Sequence, residues 1–127
     1  METKATLRVL VVDDDKDTAD TFALLILSWG YSARACYDAE AALKAASEFV
    51  PHVAFLDVAM PKIDGFSLAK KLRKQLPNIF LFAHTGRGSA EMKYRAAAAT
   101  FNQFLIKPSH PTVIRSILQQ EEAAINS

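Results

Sequence analysis

Short apolar segments and helical segments alternate along the whole chain, and this alternation constrains the fold more than any other feature. The strand-like segments cover about residues 7–12, 31–36, 53–56, 79–83 and 103–106. Such an alternation predicts a parallel sheet with helices on both of its faces. The third and fourth segments are unbroken apolar runs, which is typical of parallel strands buried on both faces. We therefore predict an α/β protein built on one doubly wound sheet.

Signals that start and stop helices stand between the predicted strands. The first helix is predicted over residues 16–29, the second over 39–47 and the fourth over about 89–99. The signals are Asp38, Asp64 and Ser89 as N-terminal caps, Gly30 as a left-handed C-terminal cap, Pro77 as a stop and Pro111 in a first helical turn. Together they predict five helices, one after each strand.

Chain length and charge indicate one domain without a general affinity for polyanions. A chain of 127 residues has the size of one ordinary domain, so we predict a single domain over residues 1–127. The net charge of +1 creates no overall field that would attract nucleic acid or an anionic membrane. The apolar runs are too short to cross a membrane, and the N-terminal segment lacks a secretory pattern. We expect a cytoplasmic protein that binds neither nucleic acid nor membrane directly.

Basic, cysteine and histidine residues do not add a second kind of site. The basic run of the third helix is interpreted as a solvated face; it consists of Lys70, Lys71, Arg73 and Lys74. The single cysteine, Cys36, is interpreted as a small apolar core residue. The histidines, His52, His84 and His110, lack the spacing of a zinc pair, so we expect structural or surface roles for them.

Polar side chains directly follow four of the five predicted strands. Asp13 and Asp14 follow the first strand, Asp57 the third, Thr85 the fourth and Lys107 the fifth. Open parallel sheets bind their ligands at the C-terminal ends of the strands, where the strand order reverses. We therefore expect these five residues to meet in one polar pocket.

The three carboxylates of this pocket predict a divalent metal. Asp13, Asp14 and Asp57 would repel one another and retain protons unless a cation lay among them. Their ligand atoms are all oxygens and few in number, which leaves room for water and a phosphoryl oxygen. This set suits the octahedral preference of Mg²⁺ better than zinc chemistry, with Mn²⁺ as an alternative ion.

The same pocket has the groups that phosphoryl transfer to a carboxylate requires. Asp57 can act as a covalent nucleophile toward phosphorus if the developing charge is neutralised. Lys107 supplies a compact cation, and Thr85 supplies a hydroxyl donor. Gly86 allows backbone N–H groups to approach phosphoryl oxygens. These roles predict an aspartyl-phosphate at Asp57.

The strings that carry these residues resemble the response-regulator receiver family over nearly the whole chain. The metal-binding acidic pair falls on Asp13 and Asp14 of VVDDD, and the phospho-acceptor falls on Asp57 of FLDVAMPKIDG. The hydroxyl residue falls on Thr85 of HTG, and the string FLIKP contains both the family's lysine, Lys107, and its aromatic switch position, Phe104. Several short strings in one order, each at a strand end, make the resemblance specific.

The resemblance implies a flavodoxin-like sheet of strand order 2-1-3-4-5 with five helices. It implies phosphoryl transfer from a histidine kinase or a histidine phosphotransfer protein, followed by binding of a downstream protein target. The domain would be a signalling module, which catalyses its own phosphorylation and dephosphorylation, rather than an enzyme acting on a separate substrate. A monomer or a weak homodimer is expected.

The resemblance also implies further site residues. The backbone carbonyl of Ala59 would be a metal ligand, and the backbone of Val58, Ala59 and Gly86 would contact the phosphoryl group. Thr85 and Phe104 would form the switch, which changes the surface of the fourth helix, fifth strand and fifth helix. The Lys107–Pro108 bond is expected to be cis.

Two alternatives remain open at this point. The chain can be a receiver taken from a longer regulator or hybrid kinase. Alternatively, Asp13 and Asp15 are similar to the DxD pair of haloacid-dehalogenase-like phosphatases, although that interpretation leaves Asp57 without a role. The sequence also departs from the family pattern, since Thr100 and Phe101 replace a common Gly-Ala pair.

Overall fold

The structure, a computed structural model, describes residues 4–58, 64–86, 98 and 101–127. The strands are β1 (Arg8–Val12), β2 (Ser32–Cys36), β3 (Val53–Leu56), β4 (Phe80–Thr85) and β5 (Gln103–Ile106). The helices are α1 (Lys16–Ser28), α2 (Ala39–Phe49), α3 (Gly65–Gln75) and α4 (Pro111–Ile125). Helix α4 is the fifth helix predicted from the sequence. The predicted fourth helix, with its cap at Ser89, lies outside the described residues.

The five strands form one parallel sheet in the order β2-β1-β3-β4-β5, which confirms the predicted topology. The predicted strand bounds agree with the structure within two residues. The largest difference is at β4, which starts one residue later than predicted and continues past residue 83 to Thr85. The prediction stopped too early because His84 and Thr85 are polar. Because the backbone of Thr85 pairs with Ile106 of β5, β4 includes both His84 and Thr85.

The caps predicted at Asp38, Asp64 and Gly30 lie where the sequence placed them. Asp38 and Asp64 accept hydrogen bonds from backbone N–H groups in the first turns of α2 and α3. Gly30 adopts the left-handed region after α1, with φ of 91°. The side chain of His110 caps α4, a role that was not predicted from the sequence. These caps fix the points at which the chain turns back from the sheet.

The two faces of the sheet are packed by different kinds of side chain. On the face covered by α1 and α4, Phe55 and Phe82 stack with ring centroids 4.9 Å apart. Burial of an aromatic side chain of this size is worth about 1.5–3 kcal/mol. On the other face, Ala42 and Ala46 of α2 are fully buried, and Cys36 is buried beside them as predicted. Helices thus cover both faces of the sheet.

None of the helices in the described part of the chain combines the length and apolar composition that a membrane span requires.

Candidate functional site

Backbone pairing continues one step beyond β1 and β3 and brings two acidic residues to the same edge of the sheet. The N–H of Asp13 donates to the carbonyl of Cys36 at 3.1 Å. The N–H of Asp57 donates to the carbonyl of Val12, also at 3.1 Å. Because each acidic residue is tied to the neighbouring strand, its side chain starts from a fixed backbone position.

The three predicted acidic residues form one cluster. Oxygens of Asp13, Asp14 and Asp57 all lie within 4.8 Å of one another. Asp13 is buried, whereas the side chain of Asp14 is partly exposed. Burial, followed by the charges of Asp13 and Asp57, raises the pKa of the Asp14 carboxyl above its ordinary value. The cluster is therefore electrostatically unfavourable without a cation.

Lys107 brings a positive charge from the end of β5 into this cluster. Its Nζ donates to a carboxylate oxygen of Asp13 and lies 3.3 Å from Oδ2 of Asp57. Burial acts to lower the pKa of the ammonium, but hydrogen bonding and the charges of the two carboxylates outweigh it and raise that pKa. Lys107 therefore stays protonated at neutral pH.

The acidic cluster fits the expected Mg²⁺. Ligands of one octahedral Mg²⁺ lie about 3 to 4 Å apart, so oxygens within 4.8 Å of one another can converge on a single ion after small side-chain movements. All donors are carboxylate oxygens, which this ion prefers. Asp13, Asp14 and Asp57 would hold the metal. Ala59, whose carbonyl was expected as a further ligand, lies outside the described residues.

The predicted switch residues lie on β4, which pairs with the strand before Asp57, and on β5 at the edge of the sheet. Thr85 is fully buried at the end of β4, and its carbonyl accepts from the N–H of Lys107 at 2.7 Å. Phe104 on β5 is half-buried against a small apolar cluster that includes Val58 and Ala83. The Lys107–Pro108 bond is cis, as expected.

Glycine is required where α3 approaches the loop after β3. A Cβ on Gly65 would lie 2.7 Å from the Cα of Val58 and 3.0 Å from the carbonyl oxygen of Asp57. No side chain could occupy that space without moving the backbone of Asp57 and Val58. The N-terminus of α3 is thus held directly behind Asp57, next to the region in which Val58 was expected to contact a phosphoryl group.

His84 also belongs to this region, although only a structural or surface role was expected for it. Its ring is buried against Phe22 and Phe55, and its Nε2 lies 3.2 Å from Oγ of Ser109. Burial, followed by the charge of Lys107, lowers the pKa of His84 to about 4. The available sequence signal was the histidine directly before Thr85 in a buried strand. Because side chains alternate along a strand, this position places His84 on the opposite face from Thr85.

Comparison with known sequences identifies the family. The sequence model for the response regulator receiver domain matches residues 9–119. The chain therefore belongs to the response regulator receiver family, and the haloacid-dehalogenase-like alternative is not favoured.

Individual relatives agree with this assignment. An "uncharacterized 14.6 kDa protein in sodA1 3'region" of Leptolyngbya boryana is 34% identical over 94% of this chain and 93% of its own length. The regulatory protein VanRc of Enterococcus gallinarum is 30% identical over 82% of this chain, and the match spans 45% of VanRc. The solved chemotaxis protein CheY4 of Vibrio cholerae is 28% identical, with a TM-score of 0.84 over 91% of this chain and 98% of that chain. This chain thus spans less than half of some regulators that it matches.

Proposed function

We propose that this receiver domain takes a phosphoryl group onto Asp57 from a phosphohistidine donor, with Mg²⁺ bound by the neighbouring carboxylates. The observation that carries the proposal is the position of the Lys107 ammonium. It lies 3.3 Å from an oxygen of Asp57 and also contacts Asp13. A cation at the acceptor can neutralise charge on an incoming phosphoryl group.

The transfer exchanges one bond to phosphorus for another. A carboxylate oxygen of Asp57 bonds to phosphorus as the bond between phosphorus and the donor's imidazole nitrogen breaks, and the imidazole leaves as a neutral ring after taking up a proton. Lys107 neutralises charge on one side of the group, and the Thr85 hydroxyl can donate to another oxygen. Bound Mg²⁺ would neutralise further charge and orient the phosphoryl group.

The biological setting follows from this chemistry. The donor would be a histidine kinase or a histidine phosphotransfer protein in the cytoplasm, and the phosphorylated surface would bind a downstream protein. The domain would act on itself, as a signalling module that also promotes its own dephosphorylation. A receiver within a longer regulator would use the same residues.

Intact-mass analysis after incubation with Mg²⁺ and acetyl phosphate tests the acceptor. The wild type should gain one phosphoryl group, and Asp57→Asn should gain none. Asp38→Asn is the matched control, because asparagine can also cap α2 and the residue lies outside the acidic cluster. Unchanged labelling of Asp57→Asn, or a phosphoryl group mapped to Asp13 or Asp14, would contradict the assignment.

We further propose that the signal passes through Thr85 and Phe104. A phosphoryl group on Asp57 gives the Thr85 hydroxyl a charged acceptor, and such a hydrogen bond is worth about 1.5–3 kcal/mol. This is enough to shift two states that differ by a few kcal/mol. Phe104 packs against the cluster that contains Val58, the residue after Asp57. Movement of Thr85 can thus make room for the Phe104 ring and change the adjacent surface.

Amide NMR with beryllofluoride tests this route. The wild type should show shift changes around Phe104, Lys107 and residues 91–95, and Thr85→Ala should show much smaller ones. Phosphoryl-analogue binding by the variant is checked separately, so that lost binding is not mistaken for lost signalling. Equal shift changes in both bound proteins would show that Thr85 does not carry the signal.

A further inference from the structure

His84 occupies a fixed position beneath the turn that carries Lys107. Its ring centroid lies 5.2 Å from that of Phe22 and 6.1 Å from that of Phe55, with edge-on geometry in both pairs. Only 8% of the residue is exposed. Edge-on contacts with both rings therefore hold the imidazole in one orientation.

The imidazole is linked by hydrogen bonds to the backbone just before Lys107. The hydroxyl of Ser109 donates to the carbonyl of Ile106 at 3.1 Å. Because this bond uses the hydroxyl proton, Ser109 Oγ can interact with His84 Nε2, 3.2 Å away, only as an acceptor. The arrangement selects the tautomer with its proton on Nε2. The direction of donation thus runs from His84 to Ser109 and on to Ile106.

Two successive residues of β4 thus hold the segment that presents Lys107. The carbonyl of Thr85 accepts from the N–H of Lys107 at 2.7 Å. His84 reaches the same segment through Ser109, on the opposite face of the strand. The backbone is tied on both sides of Lys107, from Ile106 to Ser109. Since the lysine stem is flexible, the position of this backbone determines which carboxylates its ammonium can reach.

We propose that His84 is a positioning residue for Lys107, acting through Ser109 and the Ile106 carbonyl to hold the lysine beside Asp57. This inference rests on the proposed phosphoryl-accepting function and deepens it. His84 touches neither the phosphoryl group nor the metal. It sets how well the Lys107 ammonium meets the transferred group, and small misplacements of such groups are costly.

Binding of beryllofluoride in saturating Mg²⁺ tests the proposal through matched variants. His84→Phe keeps an aromatic ring against Phe22 and Phe55 but removes the donor, and Ser109→Ala removes the link. Each should weaken beryllofluoride binding about three- to tenfold and leave Mg²⁺ affinity unchanged. His84→Gln, whose amide nitrogen can replace Nε2 as a donor, should restore most of the loss.

A double-mutant cycle separates positioning from general destabilisation. If His84 acts through Lys107, then His84→Phe should have no further effect on beryllofluoride binding in a Lys107→Ala background. Asn102→Ala, at the opposite end of the sheet from the site, is the control for lost stability and should bind the analogue normally. An equal loss from His84→Phe with and without Lys107 would overturn the proposal, as would no loss at all.

Two measurements on the free protein keep this test independent of the proposed function. Nitrogen NMR should show the His84 proton on Nε2, and exchange of the Lys107 amide should be faster in His84→Phe and Ser109→Ala. A wild type that binds no beryllofluoride but shows both signatures would contradict the proposed function and leave positioning supported. The opposite tautomer, or unchanged Lys107 exchange in both variants, would refute the positioning role.

Discussion

Polar side chains have different roles at the two ends of the sheet. At the carboxyl end, Asp13, Asp14 and Asp57 are gathered around Lys107, with more negative than positive charge. At the amino end, polar side chains bind backbone groups. The N–H of Arg8 donates to Nδ1 of His52 at 2.9 Å, for example. One end keeps an excess charge that a ligand can neutralise, and the other end uses its polar groups to join the strands.

The amino-end connection between β4 and β5 shows this structural use most clearly. Asn102 receives the N–H of Leu81 at its side-chain oxygen and donates its own N–H to the Leu81 carbonyl, both at 2.8 Å. Arg73 donates to the same Asn102 oxygen and to the carbonyl of Pro77. Asn102 and Arg73 thereby satisfy backbone groups at this end of the sheet. Changes at this end should alter stability alone, whereas changes at the carboxyl end should alter ligand binding and the dependence of stability on pH and metal.

The largest expected effect is a loss of stability at acidic pH, and it comes from His84 at the carboxyl end. Burial, followed by the charge of Lys107, lowers its pKa from 6.5 to about 4. Below pH 6.5 the unfolded chain takes up a proton that the folded protein excludes. The free energy of unfolding should therefore fall as the pH drops from about 6.5 to about 4, by up to about 3 kcal/mol.

Urea unfolding between about pH 7 and about pH 4.5 measures this loss. His84→Phe should lose less stability over that range than the wild type, since other titrating groups are common to both. His110→Asn is the control, because it removes an exposed histidine outside this region and asparagine can also cap α4. Parallel pH profiles for wild type and His84→Phe would show that His84 does not make this end acid-sensitive.

Within the carboxyl end, Asp14 and Lys107 should have different effects on Mg²⁺ binding. Asp14→Ala removes a proposed metal ligand and should weaken Mg²⁺ binding by about ten- to thirtyfold. Lys107→Ala leaves all three carboxylates and removes a competing cation from Asp13, so Mg²⁺ binding should be retained. Titration calorimetry measures both affinities. If Lys107→Ala abolished Mg²⁺ binding as fully as Asp14→Ala, the division between metal ligands and phosphoryl contact would be wrong.

At the amino end, Asn102→Ala should destabilise the protein without affecting the site. The variant leaves the N–H of Leu81 without its side-chain acceptor and also removes the acceptor of Arg73. We expect a loss of about 1 kcal/mol in the free energy of unfolding, with Mg²⁺ affinity unchanged. Urea unfolding and calorimetry on the same samples give the two values. Reduced Mg²⁺ affinity would show that the two ends are coupled.

The strand order was implied by the resemblance to the receiver family, whereas most element ends could be predicted because their signals are local. Asp38, for instance, stands immediately before the helix it caps. The acidic cluster could be predicted because parallel strands end at a common edge, and Asp13 and Asp57 directly follow adjacent strands. These inferences need only the alternation of elements and the residues at their ends.

Contacts between distant side chains could not be predicted in this way. His84 meets Ser109 only because β4 and β5 pair in a particular register. Arg73 was wrongly grouped with Lys70, Lys71 and Lys74 as part of a solvated face. The three lysines are exposed, but the guanidinium crosses to Asn102 and is half-buried. Helical periodicity gives the direction in which a long side chain starts and not the group that it reaches.

The smallest expected effect is a gain in stability when one carboxylate of the cluster is neutralised. Because burial and the charges of Asp13 and Asp57 raise the pKa of Asp14, its ionised form destabilises the metal-free fold. This destabilisation is present at neutral pH and disappears as the pH falls through the raised pKa. Solvent screens the partly exposed side chain, so Asp14→Asn should stabilise the metal-free protein by only about 0.5 kcal/mol.

Added Mg²⁺ should reverse the order of these two proteins, because the wild type binds the ion more tightly and gains more stability by mass action. Urea unfolding with a chelator and then with Mg²⁺ measures both differences. Asp38→Asn removes a carboxylate outside the cluster and should respond to Mg²⁺ as the wild type does. If Asp14→Asn were less stable than the wild type in chelator, the carboxylates would already be balanced by Lys107. The excess charge that distinguishes the carboxyl end from the amino end would then be absent before any ligand binds.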